Sequence, residues 1–256
     1  MIKFFRHIRQ RLIRENRFSR YLLYATGEII LVVIGILIAL QINNANEAKK
    51  TRAKELHYLE NIKTDLLLNN ETIDNFIKKR KTQIESANIV LDYYEGKPLT
   101  DLADFSRNCL NVYIWHKFYQ NNNTFLELTN SGNLALLSND SIKNDLLNLD
   151  ALYKELKGEE AHYRFDSEML LYEPSFRILD INPVTKKYLY DISKGQAGED
   201  LELPRQDFEA LLKDIKHKNG FVMAVYEFTV MNGQLEGMKE KSNQLIALIN
   251  SEINKD

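Results

Sequence analysis

Two spacings in this chain could build a metal site. Glu159-x-x-His162 has the i, i+3 pattern by which helical bundles hold di-metal carboxylate centres, and Asp214-x-x-His217 is a carboxylate variant of it. A chain with 36 acidic residues and five histidines produces such pairs by chance, however. His162 also adjoins Tyr163, which belongs to an apolar stripe, so the expectation is no metal and no cofactor. The single cysteine, Cys109, excludes an internal disulfide framework and any Cys-rich zinc or iron–sulfur centre. It lies among apolar stripe positions without flanking cations to activate it as a nucleophile. No Gly-x-Ser-x-Gly, phosphate loop or dinucleotide glycine pattern occurs. The expectation is a protein that is not an enzyme.

The other residues with distinctive chemistry are Glu28, Gly35 and Ala39. They fall on one helical face of an otherwise apolar segment. A carboxyl group in lipid is costly, and Gly35-x-x-x-Ala39 is a small-xxx-small pair that lets another helix approach closely. One reading is a helix–helix contact, by self-association or with a membrane partner. The other is that Glu28 snorkels to the interface and Gly35 is incidental. A proton pathway would need a relay, which one span does not contain.

Those positions need a helix across a bilayer, and the composition favours helices throughout. Ten glycines and four prolines in 256 residues are too few turn formers for a sandwich, a barrel or a doubly wound sheet. Residues 29–40 are apolar without interruption, and 21–42 carry one charge, Glu28. Twenty-two helical residues span about 33 Å, enough for a hydrocarbon core of about 30 Å. The run is too long for a cleaved signal peptide and lacks the small residues of a cleavage site, so it reads as an uncleaved signal anchor. Net charge is −2, yet residues 1–20 hold seven Lys/Arg against Glu15, a local +6 that leaves −8 on the rest. Residues 43–62 hold four Lys/Arg. This bias places the N-terminus in the cytoplasm and residues 43–256 outside it. Residues 1–20 read as a basic amphipathic segment on anionic headgroups rather than a nucleic-acid arm.

The opening Met-Ile-Lys-Phe-Phe-Arg at 1–6, Glu15 and Asn16, Tyr21 and Leu22, Gly27 to Ile29, and the run from Leu31 to Asn44 resemble an uncharacterised family of single-span membrane proteins of Bacteroidota-type Gram-negative bacteria. This sequence departs from the family where Ala45 stands in place of a tryptophan. The resemblance implies a domain of unknown function with the same topology, which in such bacteria means an inner-membrane anchor and a periplasmic 43–256, and no activity. A second block, from Asn123 to Leu134 and from Leu137 to Asp140, resembles a recurrent motif of that family.

Beyond the span, residues 43–55 are polar and lack Gly and Pro, so the helix is expected to run on as a stalk. Apolar residues at helical spacing then predict long helices over 56–95, 140–173 and 220–253, with shorter ones over 101–119 and 205–217. The three long helices are matched at roughly 50–60 Å. Thr124 and Glu127 have capping-box spacing, and Gly132 would end that short helix in the left-handed conformation. Residues 174–204 hold three prolines, and a short hairpin of 176–181 with 187–192 is one reading there. Gly233 and Gly237 signal a close helix crossing or are simply tolerated. The predicted fold is all-α: a transmembrane helix, a stalk at 43–55, and an elongated antiparallel bundle over 56–256.

The leading functional expectation is a membrane-anchored, non-enzymatic interaction or scaffold module of the cell envelope. Its partners would be the bilayer, a homo-oligomer or membrane protein through the span, and an envelope protein, with no nucleic acid. The alternatives are a ligand-binding sensor or regulator acting through a membrane partner, and an anchored metal-dependent enzyme. A polar, water-filled pocket would favour the sensor.

Overall fold

A computed structural model describes residues 18–255. The basic segment expected at 1–20 lies, up to residue 17, outside the described residues. The chain forms two compact units, 1–57 and 58–256.

Helix α1, Phe18–Tyr94, begins in the first unit and supplies the first helix of the second. It runs unbroken through 43–55. Over 22–42 its large apolar side chains are exposed, Leu23 at 79% and Ile42 at 66% among them. Among the described residues this is the one helix long and apolar enough to cross a membrane.

The second unit adds α2 (Leu102–Tyr113), α3 (Asn123–Asn130), a 3-10 turn (Asn133–Leu136), α4 (Asp140–Asp166), a π-helical turn (Ser167–Tyr172), α5 (Glu173–Ile178), α6 (Ile181–Ile192), α7 (Arg205–Leu211) and α8 (Ile215–Ile253). The fold is all-α, and no strand occurs among the described residues. Two core clusters give the helix directions. Leu59, Ile62 and Leu66 pack with Ile142, Leu146 and Leu149 from the start of α4, and with Leu245 and Ile249 from the end of α8. Ile73, Val90 and Tyr93 pack with Leu156 and Tyr163, and with Phe221 and Phe228 near the start of α8. Helices α1 and α4 are therefore parallel, and α8 runs antiparallel to both.

The descending element between α1 and α4 is only partly helical. The helix expected over 101–119 stops at Tyr113, because Ile114 (φ −84°, ψ 82°) leaves the helical conformation. Residues 115–122 then return without regular structure, with Phe118 fully buried. Buried backbone must be hydrogen-bonded, and polar side chains of the neighbouring helices do this. Gln83 Nε2 donates to the carbonyls of Asn111 and Ile114, both at 3.0 Å. Asn69 receives the Asn121 amide at 2.7 Å and donates to the Asn121 carbonyl at 2.8 Å.

The 174–204 stretch is also corrected. No hairpin forms, because the stretch is mainly helical and its prolines stand where helices tolerate them. Pro174 lies in the first turn of α5, Pro183 is the third residue of α6, and Pro204 is the N-cap of α7. Asp180 caps α6 by accepting from the Asn182 amide at 3.0 Å. The helix expected to end at 173 continues to Ile178 through the π-helical turn. Pro174 has no N–H to donate to Leu170, and the widened turn just before it accommodates that gap.

The start of the last helix moves from 220 to Ile215, where Asp214 accepts the Lys216 and His217 amides at 2.8 and 3.1 Å. The preceding helix ends at Leu211 instead of 217. Gly220 therefore lies inside α8. A methyl group there would lie 2.5 Å from Leu171 Cδ2 and 3.1 Å from the Leu170 carbonyl carbon, so glycine permits this close approach. Gly233 and Gly237 have nothing within 4 Å of such a position, which leaves them as tolerated helix residues.

Candidate functional site

Glu28, Gly35 and Ala39 lie on α1 within the first unit. Nothing lies within 4 Å of where a Gly35 Cβ would stand. Thr124 and Glu127 do not form a capping box. Asn122 holds the N-cap of α3 without a side-chain bond, which places Thr124 inside the first turn. The Thr124 amide donates to Asp65 Oδ2 at 3.1 Å, and Glu127 accepts from the Tyr58 hydroxyl at 2.8 Å. Helix α1 supplies partners that the local sequence would otherwise have to provide. Gly132 has φ +71°, a left-handed conformation, between α3 and the 3-10 turn.

Three clusters of buried polar groups bear on chemistry. In the first, Glu160 Oε1 accepts from Arg80 Nη2 at 2.9 Å and from the Phe118 amide at 2.7 Å, while Lys157 Nζ reaches Oε2 at 2.7 Å. Lys157 also donates to the Phe118 carbonyl. This ion pair serves the returning segment and is structural.

The second cluster surrounds His217, which is fully buried between the hydroxyls of Tyr94 (at Nδ1) and Tyr113 (at Nε2). Tyr113 Oη lies 2.7 Å from Ser175 Oγ, which donates to the Leu171 carbonyl at 2.7 Å. A carbonyl can only accept, so the Ser175 proton goes to Leu171 and Ser175 accepts from Tyr113. The Tyr94 hydroxyl has a second acceptor, the Leu211 carbonyl at 3.3 Å. Burial pulls the imidazole down from its ordinary 6.5 to about 3, so it is neutral. Burial likewise pushes the Tyr94, Tyr113 and Cys109 groups up, which leaves the Cys109 thiol unreactive. Asp214 caps α8 and pairs with Arg177 at 2.6 Å, so the Asp214-x-x-His217 spacing brings no two ligands together.

The third cluster joins α4 and α8. His162 Nε2 lies 3.8 Å from Asp166 Oδ2 and 3.7 Å from Glu227 Oε1. Glu227 is 3% exposed, and neither of its oxygens accepts a hydrogen bond. Burial and the neighbouring Asp166 and Glu159 carboxylates raise it to about 8. The sequence had pointed to Glu159 and His162 and missed Asp166 and Glu227. One signal for Glu227 was available: it stands at a core position of α8, between buried Ala224 and Met231.

A cavity of about 190 Å³ is walled mainly by apolar side chains, among them Cys109, Leu179, Val184, Phe208 and Leu211, with Tyr113 and Ser175 also on its lining. A wider open groove of about 1030 Å³ runs along Trp115, Lys117, Arg164, Tyr172 and Phe176.

Comparison with known protein families matches residues 28–164 to a family of unknown function, DUF6090. The chain belongs to that family. The matched span contains Glu28, Gly35, Ala39, Thr124, Glu127, Gly132 and His162, whereas Asp166 and Glu227 lie beyond it. No curated protein and no solved structure matches the chain.

Proposed function

We propose that this protein is a membrane-anchored, non-enzymatic helical interaction module of the cell envelope, with its N-terminus cytoplasmic and residues 43–256 periplasmic. The observation that carries this reading is α1 itself. One helix bears an exposed apolar stretch at 22–42 and, from Leu59 onward, the first stripe of a packed helical core. Exposed apolar surface on that scale needs lipid or protein to cover it. The cation bias across the span supports the orientation, and the Glu28, Gly35 and Ala39 face supports association through the span. The non-enzymatic reading is supported by Glu160, which is engaged by Arg80, Lys157 and the Phe118 amide, and by His217, whose ring is held between two tyrosine hydroxyls.

Alkaline carbonate extraction of membranes tests the anchor. The full chain should stay in the pellet, and deletion of 22–42 should release it. Recovery of the full chain in the supernatant would overturn the reading. A ligand-binding sensor is the second reading; the cavity beside Tyr113 and Ser175 offers it a site, although not the polar, water-filled one expected of it. Its mostly apolar wall suits an apolar ligand better than a polar one.

A further inference from the structure

Glu227 is a buried carboxyl group whose oxygens accept no hydrogen bond and whose side chain lies against that of Asp166. Once ionised it is a buried charge, and a buried charge needs pairing or a metal. Its surroundings are acidic: Asp166 faces it from α4, and Glu159 stands two turns earlier on that helix. The one cationic candidate at ion-pair distance among the described residues is His162, at 3.7 Å, and its side chain is 61% exposed. One ligand atom each from His162, Asp166 and Glu227 lies within 4.8 Å of the other two.

We propose that His162, Asp166 and Glu227 form a binding site for a first-row divalent cation, zinc in the first instance, that ties α4 to α8. An imidazole with two carboxylates suits zinc and its neighbours, whereas magnesium and calcium take oxygen donors alone. Two carboxylates neutralise the ion, and its charge satisfies the buried Glu227. Ligand atoms about 2.0–2.1 Å from a tetrahedral ion stand about 3.3–3.4 Å apart. The observed 3.7 and 3.8 Å therefore need only a small inward rotation of side chains. The exposed edge at His162 leaves room for a water as fourth ligand. The π-helical turn that starts at Ser167 follows directly on Asp166. This site is independent of the membrane reading, since its ligands all lie in the 58–256 unit.

The experiment uses the full chain in detergent, stripped with chelator and titrated with Zn²⁺ by calorimetry while Tm is followed. The expected result is one ion bound per chain at this site and a rise in Tm. Glu227→Gln and His162→Ala should each weaken that binding by about tenfold or more and abolish the rise in Tm. His162 is at the surface, so its variant keeps the readout if Glu227→Gln alters folding. Excess Mg²⁺ should not displace the zinc. Unchanged binding in both variants would overturn the proposal. So would zinc leaving Tm unaltered while Glu227→Gln alone raises it, the signature of two carboxyl groups that share a proton.

Discussion

Arg80 and Glu160 meet at 2.9 Å in the core, at 2% and 0% exposure, and the Glu160 oxygen that Arg80 touches also receives the Phe118 amide. Two long helices thereby hold a returning segment that has no regular structure of its own. Glu160→Ala should leave a guanidinium and a buried amide unsatisfied, at a cost of about 3–5 kcal/mol. Denaturant titration of the full chain in detergent checks this, and a loss under about 1 kcal/mol would count against the role given to the pair.

Glycine substitutions on α8 should split by position. Gly220→Ala forces a methyl group against Leu171 and should destabilise by about 1–3 kcal/mol. Gly233→Ala and Gly237→Ala meet no neighbour and should stabilise by about 0.5–1 kcal/mol each. Thermal unfolding of the three variants gives the comparison.

His217 makes stability depend on pH in a defined direction. Its folded value is near 3 and its ordinary value 6.5, so below pH 6.5 the unfolded chain takes up a proton that the native imidazole refuses. Its contribution is full above pH 6.5 and is lost progressively down to about pH 3. At pH 5 the loss should be about 2 kcal/mol. Stability measured from pH 7 to 5 should fall less steeply in His217→Gln than in the native chain. Equal slopes would show that His217 titrates freely.

Association through the span should follow the Glu28, Gly35 and Ala39 face. Glu28→Gln keeps a donor and an acceptor and should preserve it, whereas Gly35→Leu should weaken it, with each interhelical hydrogen bond worth about 0.6–2 kcal/mol. Crosslinking in membranes gives the readout. Identical species from the native chain, Gly35→Leu and Glu28→Leu would leave snorkelling of Glu28 as the better account.

Orientation is checked by labelling Asn254→Cys in a Cys109→Ala background with an impermeant thiol reagent. Labelling is expected when the inner membrane is intact but the periplasm is open. Labelling only after the inner membrane is permeabilised would reverse the topology.

The sequence alone determined the helical class, the apolar stretch at 22–42 and the stripes of the long helices, because each depends on residues three and four apart on one helix. The start of the helix predicted over 140–173 was equally local, since the Asn139 side chain accepts from the Ser141 and Ile142 amides just beyond it. What tertiary structure decided were the places where a distant side chain replaced a local partner. Asp65 and Tyr58 took over the polar groups of Thr124 and Glu127, and Leu171 set the purpose of Gly220. Gln83, Asn69 and Glu160 made a non-helical return through the core affordable by satisfying its backbone. Asp166 and Glu227 are 61 positions apart and meet only because α8 packs against α4. Helical periodicity carries no information about which face meets which, and that choice is made by packing.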